Sequence, residues 1–181
     1  MHPHGEKILL SEQEIKTRVA QLGRVISEDY KGKELLVIGI LKGAIIFLTD
    51  LVRSINNPIY FDFMSVSSYG DSASTSGEVR ILKDLDKSIE DRHVLIVEDI
   101  IDTGLTLDYL THVLSSRGPA SLKICTLLDK PSRRVTPVYV HYRGFSISND
   151  FVVGYGLDYN ERYRNLPYIM ALRPKIYGGG S

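Results

Sequence analysis

Val94-Leu95-Ile96-Val97-Glu98-Asp99-Ile100-Ile101-Asp102-Thr103-Gly104-Leu105-Thr106 is the stretch on which the reading of this 181-residue chain turns. The apolar run Val94 to Val97 has the length and β-branched content of a strand covered on both faces. Apolar residues at helical spacing follow from Leu105 to Leu114, and Gly118-Pro119 stops them. The segment is therefore a strand, a turn and a helix. Three carboxylates and a Thr-Gly-x-Thr turn lie at the junction. In an open α/β sheet, ligands bind beyond the carboxyl ends of the strands, so these acids arrive where a site is expected.

The start of the helix supplies the other half of the chemistry. Backbone N–H groups and the helix dipole at an amino end receive a phosphate. Gly104 lets the backbone come close, and Thr103 and Thr106 add hydroxyl donors. Acids beside such a cradle would repel a bare anion. They suit it when a hard cation or a sugar diol lies between, because magnesium takes carboxylate, phosphate and water oxygens together. The combination points to a phosphorylated sugar with bound metal. One acid at a strand end often merely caps the next helix; three acids with Thr-Gly-x-Thr inside Glu98–Thr106 favour a ligand.

Outward from this segment the same alternation recurs. Ser11 with Glu14 forms a capping-box signature, and Ile15, Val19, Leu22 and Ile26 follow at helical spacing, predicting a helix that ends near Tyr30. Leu35 to Leu41 reads as a buried strand and Gly43 to Ile55 as a helix. Ile59, Phe61 and Phe63 alternate with Tyr60, Asp62 and Met64, a weaker strand pattern. Leu122 to Leu128, Val138 to Tyr142, Phe151 to Val153 and Tyr168 to Leu172 are further expected strands. This order predicts an α/β fold, one domain over residues 1–177, with a mainly parallel central sheet flanked by helices. Ser67 to Gly77 is rich in serine, glycine and threonine and has too little apolar surface to offset its ordering entropy. Flanked by strand patterns, it is expected to be a mobile lid. Gly178 to Ser181 is expected to be a flexible end or an expression remnant.

Composition narrows the function. Lys plus Arg equals Asp plus Glu, 22 against 22, so no global field draws the chain to nucleic acid or to an anionic membrane. Leu35 to Val52, the most apolar stretch, is broken by Lys42 and Asp50 and does not read as a membrane span. Met1 to Leu10 lacks the apolar core of a signal peptide. The single cysteine, Cys125, sits in an apolar run and reads as a small buried hydrophobe, which fits a reducing cytoplasm. No P-loop is present, Gly154-Tyr155-Gly156 lacks the third glycine of a dinucleotide fingerprint, and no zinc-binding spacing occurs. His2 and His4 are expected on a frayed tail.

Glu98 to Thr106 resembles the phosphoribosyl pyrophosphate signature of type I phosphoribosyltransferases. Further motifs narrow the resemblance to the hypoxanthine–guanine phosphoribosyltransferase family. Leu41-Lys42-Gly43 is similar to its pyrophosphate loop and Ser68-Tyr69 to a dipeptide of its mobile active-site loop. Leu128-Asp129-Lys130 resembles its purine-contacting segment. Phe151 to Tyr159, followed by Arg164, is similar to its base-stacking and metal-binding segment. The likeness runs in order from about residue 8 to residue 177.

The resemblance implies the type I phosphoribosyltransferase fold, with a small hood formed by N- and C-terminal segments. It implies a magnesium-dependent enzyme of purine salvage. Such an enzyme joins phosphoribosyl pyrophosphate to a 6-oxopurine, giving IMP or GMP and pyrophosphate. Glu98 and Asp99 would hold the ribose hydroxyls, directly or through Mg2+. Asp102 would accept the proton near the purine N7, and Thr103, Gly104, Leu105 and Thr106 would bind the 5′-phosphate. Ile100, Lys130, Phe151, Val152 and Asp158 would meet the purine. Among them, Lys130 would donate to O6, Phe151 would stack and the Val152 backbone would meet the edge. Asp158 would ligate a second Mg2+, so the implied metal ligands are Glu98, Asp99 and Asp158. Lys42, Gly43 and Arg164 would hold pyrophosphate, and Ser68 and Tyr69 belong to the lid. A homodimer or homotetramer in the cytoplasm is implied too. Asn149-Asp150, a pair that varies in the family, is a candidate for adjusting base preference.

By residue type alone Lys42, Lys130 and Arg164 are ordinary surface cations and Phe151 is core; their placement together with Glu98–Thr106 argues otherwise. Lys130 separates 6-oxo from 6-amino purines, because an ammonium accepts no hydrogen bond and adenine's amino group would go unpaired. Two alternatives stay open: a phosphoribosyltransferase preferring another base such as xanthine or uracil, and a nucleic-acid-binding regulator on the same fold, which would want a basic face.

Overall fold

The structure, a computed structural model, describes residues 1–68 and 79–178. Its first helix starts where the capping box places it. The Glu14 N–H donates to Ser11 Oγ, and the Ser11 N–H donates to the Glu14 carboxylate at 2.8 Å. Helix α1 (Glu12–Asp29) then buries Ile15, Val19, Leu22 and Ile26 on one stripe.

That stripe packs on a six-stranded sheet built from β2 (Leu35–Leu41), β3 (Ile59–Ser68), β4 (Val79–Lys83), β5 (His93–Ile101), β6 (Ser121–Asp129) and β7 (Tyr142–Ser146). Their spatial order is β4-β3-β2-β5-β6-β7, all parallel except the β3–β4 pair. Helix α2 (Ile45–Arg53) joins β2 to β3, and α3 (Leu105–Ser115) joins β5 to β6. From β2 the chain therefore progresses to one side, and from β5 to the other. The strand order reverses between these neighbours, which pair from Leu35↔His93 to Gly39↔Val97. A crevice at such a switch point is the binding place of doubly wound sheets.

Helices cover both faces, which explains the unbroken apolar runs of β2 and β5. Leu35, Val37, Leu95 and Val97 face a core shared with α1 and α2; Ile38, Ile40, Val94 and Ile96 face a second core with Leu107, Leu110 and Leu114 of α3. Leu95 is fully buried, and truncating it to alanine should cost about 2–5 kcal/mol.

A second, antiparallel sheet of order β1-β9-β8 forms the hood, from β1 (Gly5–Leu10), β8 (Val152–Val153) and β9 (Ile169–Leu172). It ties the chain's first strand to its last, with Gly5 opposite Leu172 and Val152 opposite Ala171. A one-turn helix, α4 (Pro174–Tyr177), follows.

Three expectations need correction. His2 and His4 are tethered and not frayed: the His2 N–H donates to Tyr168 Oη at 2.9 Å, and His4 Nδ1 lies 2.6 Å from Tyr163 Oη. Strand β7 begins at Tyr142, where Val138 to Tyr142 was expected. Val138 and Val140 spend their apolar surface against the second core without joining a ladder, and pairing with β6 starts only at Cys125↔Tyr142. Strand β5 runs on to Ile101, so Glu98 and Asp99 lie inside the strand and not past its end. Of the expected lid, Ser67 and Ser68 pair with Arg80 and Val79 in the β3–β4 ladder. Tyr69 and the rest of that segment fall outside the described residues, as do residues 179–181. No helix among the described residues is long and apolar enough to cross a membrane.

Candidate active site

At the switch point a cleft of about 320 Å³ opens between the ends of β2 and β5. Lys42 and Gly43 line it from β2, Glu98 to Gly104 and Thr106 from β5 and the start of α3, and Asp158 and Arg164 from the segment after β8. With Val66 of β3, four separate stretches of sequence thus meet in one place. The register explains why: β2 and β5 are aligned neighbours, so the turn after one stands beside the acids of the other.

The floor of the cleft is acidic and buried. Glu98 is 8% exposed and Asp99 9%, and neither has an ion-pair partner within 4 Å among the described residues. Burial, with Asp99 beside it, pushes the Glu98 carboxyl well above the ordinary carboxylate range. Burial raises Asp99 too, opposed by its hydrogen bonds to Glu98 and to the Ile100 N–H and by the charge of Arg164. Two adjacent buried carboxyls titrate as a pair. Both carboxyls line the cleft and offer it hard oxygen donors.

The amino end of α3 lines the same cleft. Gly104 is the residue before the helix, with φ 88°, and no side chain caps it. A glycine is required here twice over: the left-handed conformation disfavours any side chain, and a Cβ would collide with the Thr136 carbonyl. The Thr103 carbonyl accepts from the Val135 and Thr136 N–H groups at 2.9 and 3.1 Å, which holds the turn from above. Leu105 does not line the cleft, although its N–H opens the helix and approaches Thr103 Oγ at 3.4 Å.

Cations edge the cleft. Arg164 donates to Asp158 Oδ1 at 2.8 Å and to the Gly156 carbonyl at 2.7 Å, while Lys42 pairs with Glu161 at 3.0 Å. The Arg164 Nε is buried and has no hydrogen-bond partner among the described residues. The Leu41–Lys42 peptide is cis. Gly43 and Gly156 pack so closely that a Cβ on Gly43 would overlap the Asp99 carboxylate, and one on Gly156 would overlap the Gly43 carbonyl.

Lys130, Phe151 and Val152 do not line this cleft; they form an adjoining group. Lys130 is only 7% exposed, its N–H donates to the Ile101 carbonyl at 2.9 Å, and burial pulls its ammonium below the usual lysine pKa. Phe151 is 37% exposed, stacked on Tyr177 at 4.6 Å and edge-on to Tyr159 at 5.6 Å. Val152 is buried in the hood.

Two sets of contacts escaped the sequence reading. Arg133 donates to Asp102 Oδ1 at 3.0 Å, and Arg134 pairs with the buried Asp129 and reaches the Asp102 carbonyl at 3.3 Å. Glu161 engages Lys42 and, at 3.5 Å, Arg164. The doublet Arg133-Arg134 just after Lys130 was a visible signal for the first; nothing in the spacing marked Glu161.

An acidic floor, a helix amino end in the same cleft and a cationic rim, set at a doubly wound sheet's switch point, are the parts of a phosphoribosyl-binding site. Residues 6–160 match the family model of the phosphoribosyl transferase domain, which is the class to which this chain belongs. Within that class the chain is 56% identical over 178 residues to a hypoxanthine-guanine phosphoribosyltransferase of Mycobacterium avium, covering 95% of this chain and 88% of that protein. It is 53% identical over 172 residues to the Bacillus subtilis (strain 168) protein of the same name, covering 95% and 96%. The crystal structure of a hypoxanthine phosphoribosyltransferase from Staphylococcus aureus matches with a TM-score of 0.95 and 49% identity, over 99% of this chain and 97% of that one. The chain belongs to the hypoxanthine-guanine phosphoribosyltransferase family.

Proposed function

We propose that this enzyme transfers the 5-phosphoribosyl group of phosphoribosyl pyrophosphate to N9 of hypoxanthine or guanine, giving IMP or GMP and pyrophosphate in purine salvage. One observation carries the reading of the site: a buried carboxylate pair, with no ion-pair partner within 4 Å among the described residues, lines the same cleft as a helix amino end that no side chain caps. That arrangement suits a sugar phosphate accompanied by a hard cation and suits little else.

Each residue then has a task. The amino end of α3, with the hydroxyls of Thr103 and Thr106, takes the 5′-phosphate. Glu98 and Asp99 fit Mg2+ by their chemistry, since two carboxylates with substrate and water oxygens make up its usual shell. Asp158 is a further candidate ligand, already shared with Arg164 and with the Glu161 N–H at 2.8 Å. Bound Mg2+ would neutralise the charge that builds on the departing pyrophosphate. Lys42, the Gly43 backbone and Arg164, all lining the cleft, hold that leaving group. As N9 bonds to C1′ the C1′–O bond to pyrophosphate breaks, and Asp102 takes the proton that the purine sheds near N7. Lys130 donates to O6, Phe151 stacks on the ring and the Ile100 and Val152 main chain meets the base. Ser68 and Tyr69 belong to a lid that excludes water from the activated sugar.

A xanthine preference is the nearest alternative, since Lys130 reads O6 of all three 6-oxopurines alike. A nucleic-acid regulator is disfavoured by the even charge balance of 22 against 22. A single buried cysteine, with no intrachain disulfide to form, suits a reducing cytoplasm. The exposed Tyr60, Phe61 and Leu82 on β3 and β4 suit a homodimer or homotetramer, which sedimentation would reveal. The deciding experiment is pyrophosphate release with phosphoribosyl pyrophosphate, Mg2+ and, in turn, hypoxanthine, guanine, xanthine, adenine and uracil. Turnover of hypoxanthine or guanine with none of adenine or uracil is expected; preference for any other base overturns the reading.

A further inference from the structure

Lys130 has a support that the transfer chemistry does not use. Its Nζ donates to the main-chain carbonyl of Asp150 at 2.8 Å. The Asp150 carboxylate is itself gripped from two directions. Its Oδ2 accepts from Ser148 Oγ at 2.7 Å and lies 3.4 Å from Nζ of Lys7, on strand β1 of the hood. These contacts, the serine hydrogen bond foremost, hold the Asp150 carboxyl below the usual carboxylate range. The next residue in the chain is Phe151. One residue therefore touches the base subsite twice, through its carbonyl and through its chain neighbour, while its side chain is anchored elsewhere.

We propose that Asp150 is a positioning residue for the purine subsite. Its carboxylate, clamped by Ser148 and Lys7, fixes the carbonyl that aims the Lys130 ammonium, and so sets the preference for a 6-oxo over a 6-amino group. The proposal rests on Lys130 reading O6, as argued above. A lysine stem has four rotatable bonds, and ordering it at the moment of binding weakens affinity. An ammonium with one donor already committed to a carbonyl has two left for the base and less freedom to lose. Charge acts in the same direction. Burial works against the ammonium; the carboxylates of Asp150 and Asp102 support it, and Arg133 opposes it. A neutral amine could accept a hydrogen bond from a 6-amino group, so support for the charge is also support for selectivity.

The test is steady-state kinetics on the full enzyme with Lys7→Met, Asp150→Asn, the Lys7→Met/Asp150→Asn pair and Asp150→Ala. Lys7 is 54% exposed in its side chain, so its variant keeps the test alive should Asp150→Ala fold poorly. Each single variant should raise KM for hypoxanthine about three- to tenfold, leaving kcat and KM for phosphoribosyl pyrophosphate within about twofold. The double variant should be no worse than the poorer single one, as expected of contacts in one chain of support. In Asp150→Asn the alkaline fall of hypoxanthine binding should begin at lower pH, and adenine turnover should rise relative to hypoxanthine. An unchanged hypoxanthine KM in Asp150→Ala overturns the proposal, and so does an equal rise in both KM values, which would mean general loosening of the hood. If the parent enzyme turns over no 6-oxopurine at all, the functional reading fails first and this proposal goes with it.

Discussion

Arg133 Nε donates to Asp102 Oδ1 at 3.0 Å, so the carboxylate assigned to proton transfer carries a cationic partner from the turn after Lys130. Both side chains are close to half exposed, at 47% and 42%. In such surroundings the pair contributes little to folding, about 0–1 kcal/mol. Arg133→Ala should therefore leave urea unfolding nearly unchanged. Asp102→Asn should behave differently, lowering kcat by roughly 10²–10⁴ while nucleotide still binds by calorimetry. Near-normal turnover in Asp102→Asn would remove it as the base.

Gly43 bears on the acidic floor of the cleft without offering a side chain. A methyl group there overlaps the Asp99 carboxylate, and that carboxylate cannot swing away without losing the Ile100 N–H bond at 2.7 Å. Gly43→Ala should thus displace Asp99 and raise KM for phosphoribosyl pyrophosphate at least tenfold, about 1.4 kcal/mol. KM for the purine should move less, because of the residues assigned to the base Ile100 and Asp158 line this cleft but Lys130, Phe151 and Val152 do not. Equal KM changes for both substrates would count against the assignment.

How much of this was legible in the sequence depends on how local each cause is. Strands β2 and β5 announced themselves because burial on both faces removes every polar interruption, and α1 because its cap is written in Ser11 and Glu14. Strand β1 did not. Glu6, Lys7 and Ile8 in its middle are exposed, and its reason for existing is pairing with β9 about 160 residues away. The same holds in the site. Glu98 to Thr106 is one contiguous device and could be read directly. The Arg133–Asp102 contact depends on the 3-10 turn at Pro131–Arg133 and on the Val135 and Thr136 bonds to Thr103, which no spacing encodes. Resemblance supplied Lys130 and Phe151; their burial and neighbours came only with the fold.

Away from the cleft, Asp29, Tyr142 and Lys123 form a polar knot joining α1 to β6 and β7. Tyr142 Oη donates to Asp29 Oδ2 at 2.5 Å, and Lys123 Nζ lies 3.3 Å from the same oxygen. The tyrosine hydrogen bond is the main reason that the Asp29 carboxyl titrates below its ordinary 3.8. A depressed folded pKa contributes stability above the ordinary value and loses it as pH falls through the folded one. The Asp29 side chain is 42% exposed, so solvent screening keeps the contribution small. Tyr142→Phe should cost about 1 kcal/mol at pH 7, and the gap from the parent should close in urea melts below pH 3.8. A gap that persists undiminished in acid would assign the loss to packing.

Glu98 gives the opposite sign, and with it a way to separate stability from activity. Its folded pKa is raised above the ordinary 4.5, chiefly by burial and then by Asp99. Between those two values the folded chain holds a proton that the unfolded chain has released, so stability falls as pH rises from about 4.5 through the raised value. Glu98→Gln keeps the shape and removes the titration. Without divalent cation, the variant should melt higher than the parent at pH 8, with the difference shrinking toward pH 4.5. Adding Mg2+ with phosphoribosyl pyrophosphate should then favour the parent, because a ligand bound only by the folded state raises its melting temperature and the variant has lost a charged oxygen donor. Turnover should fall in the variant throughout. A parent that already melts above Glu98→Gln at pH 8 in chelator would show that the carboxylate is compensated inside the protein, and that no cation is needed to explain why two acids lie buried at the end of β5.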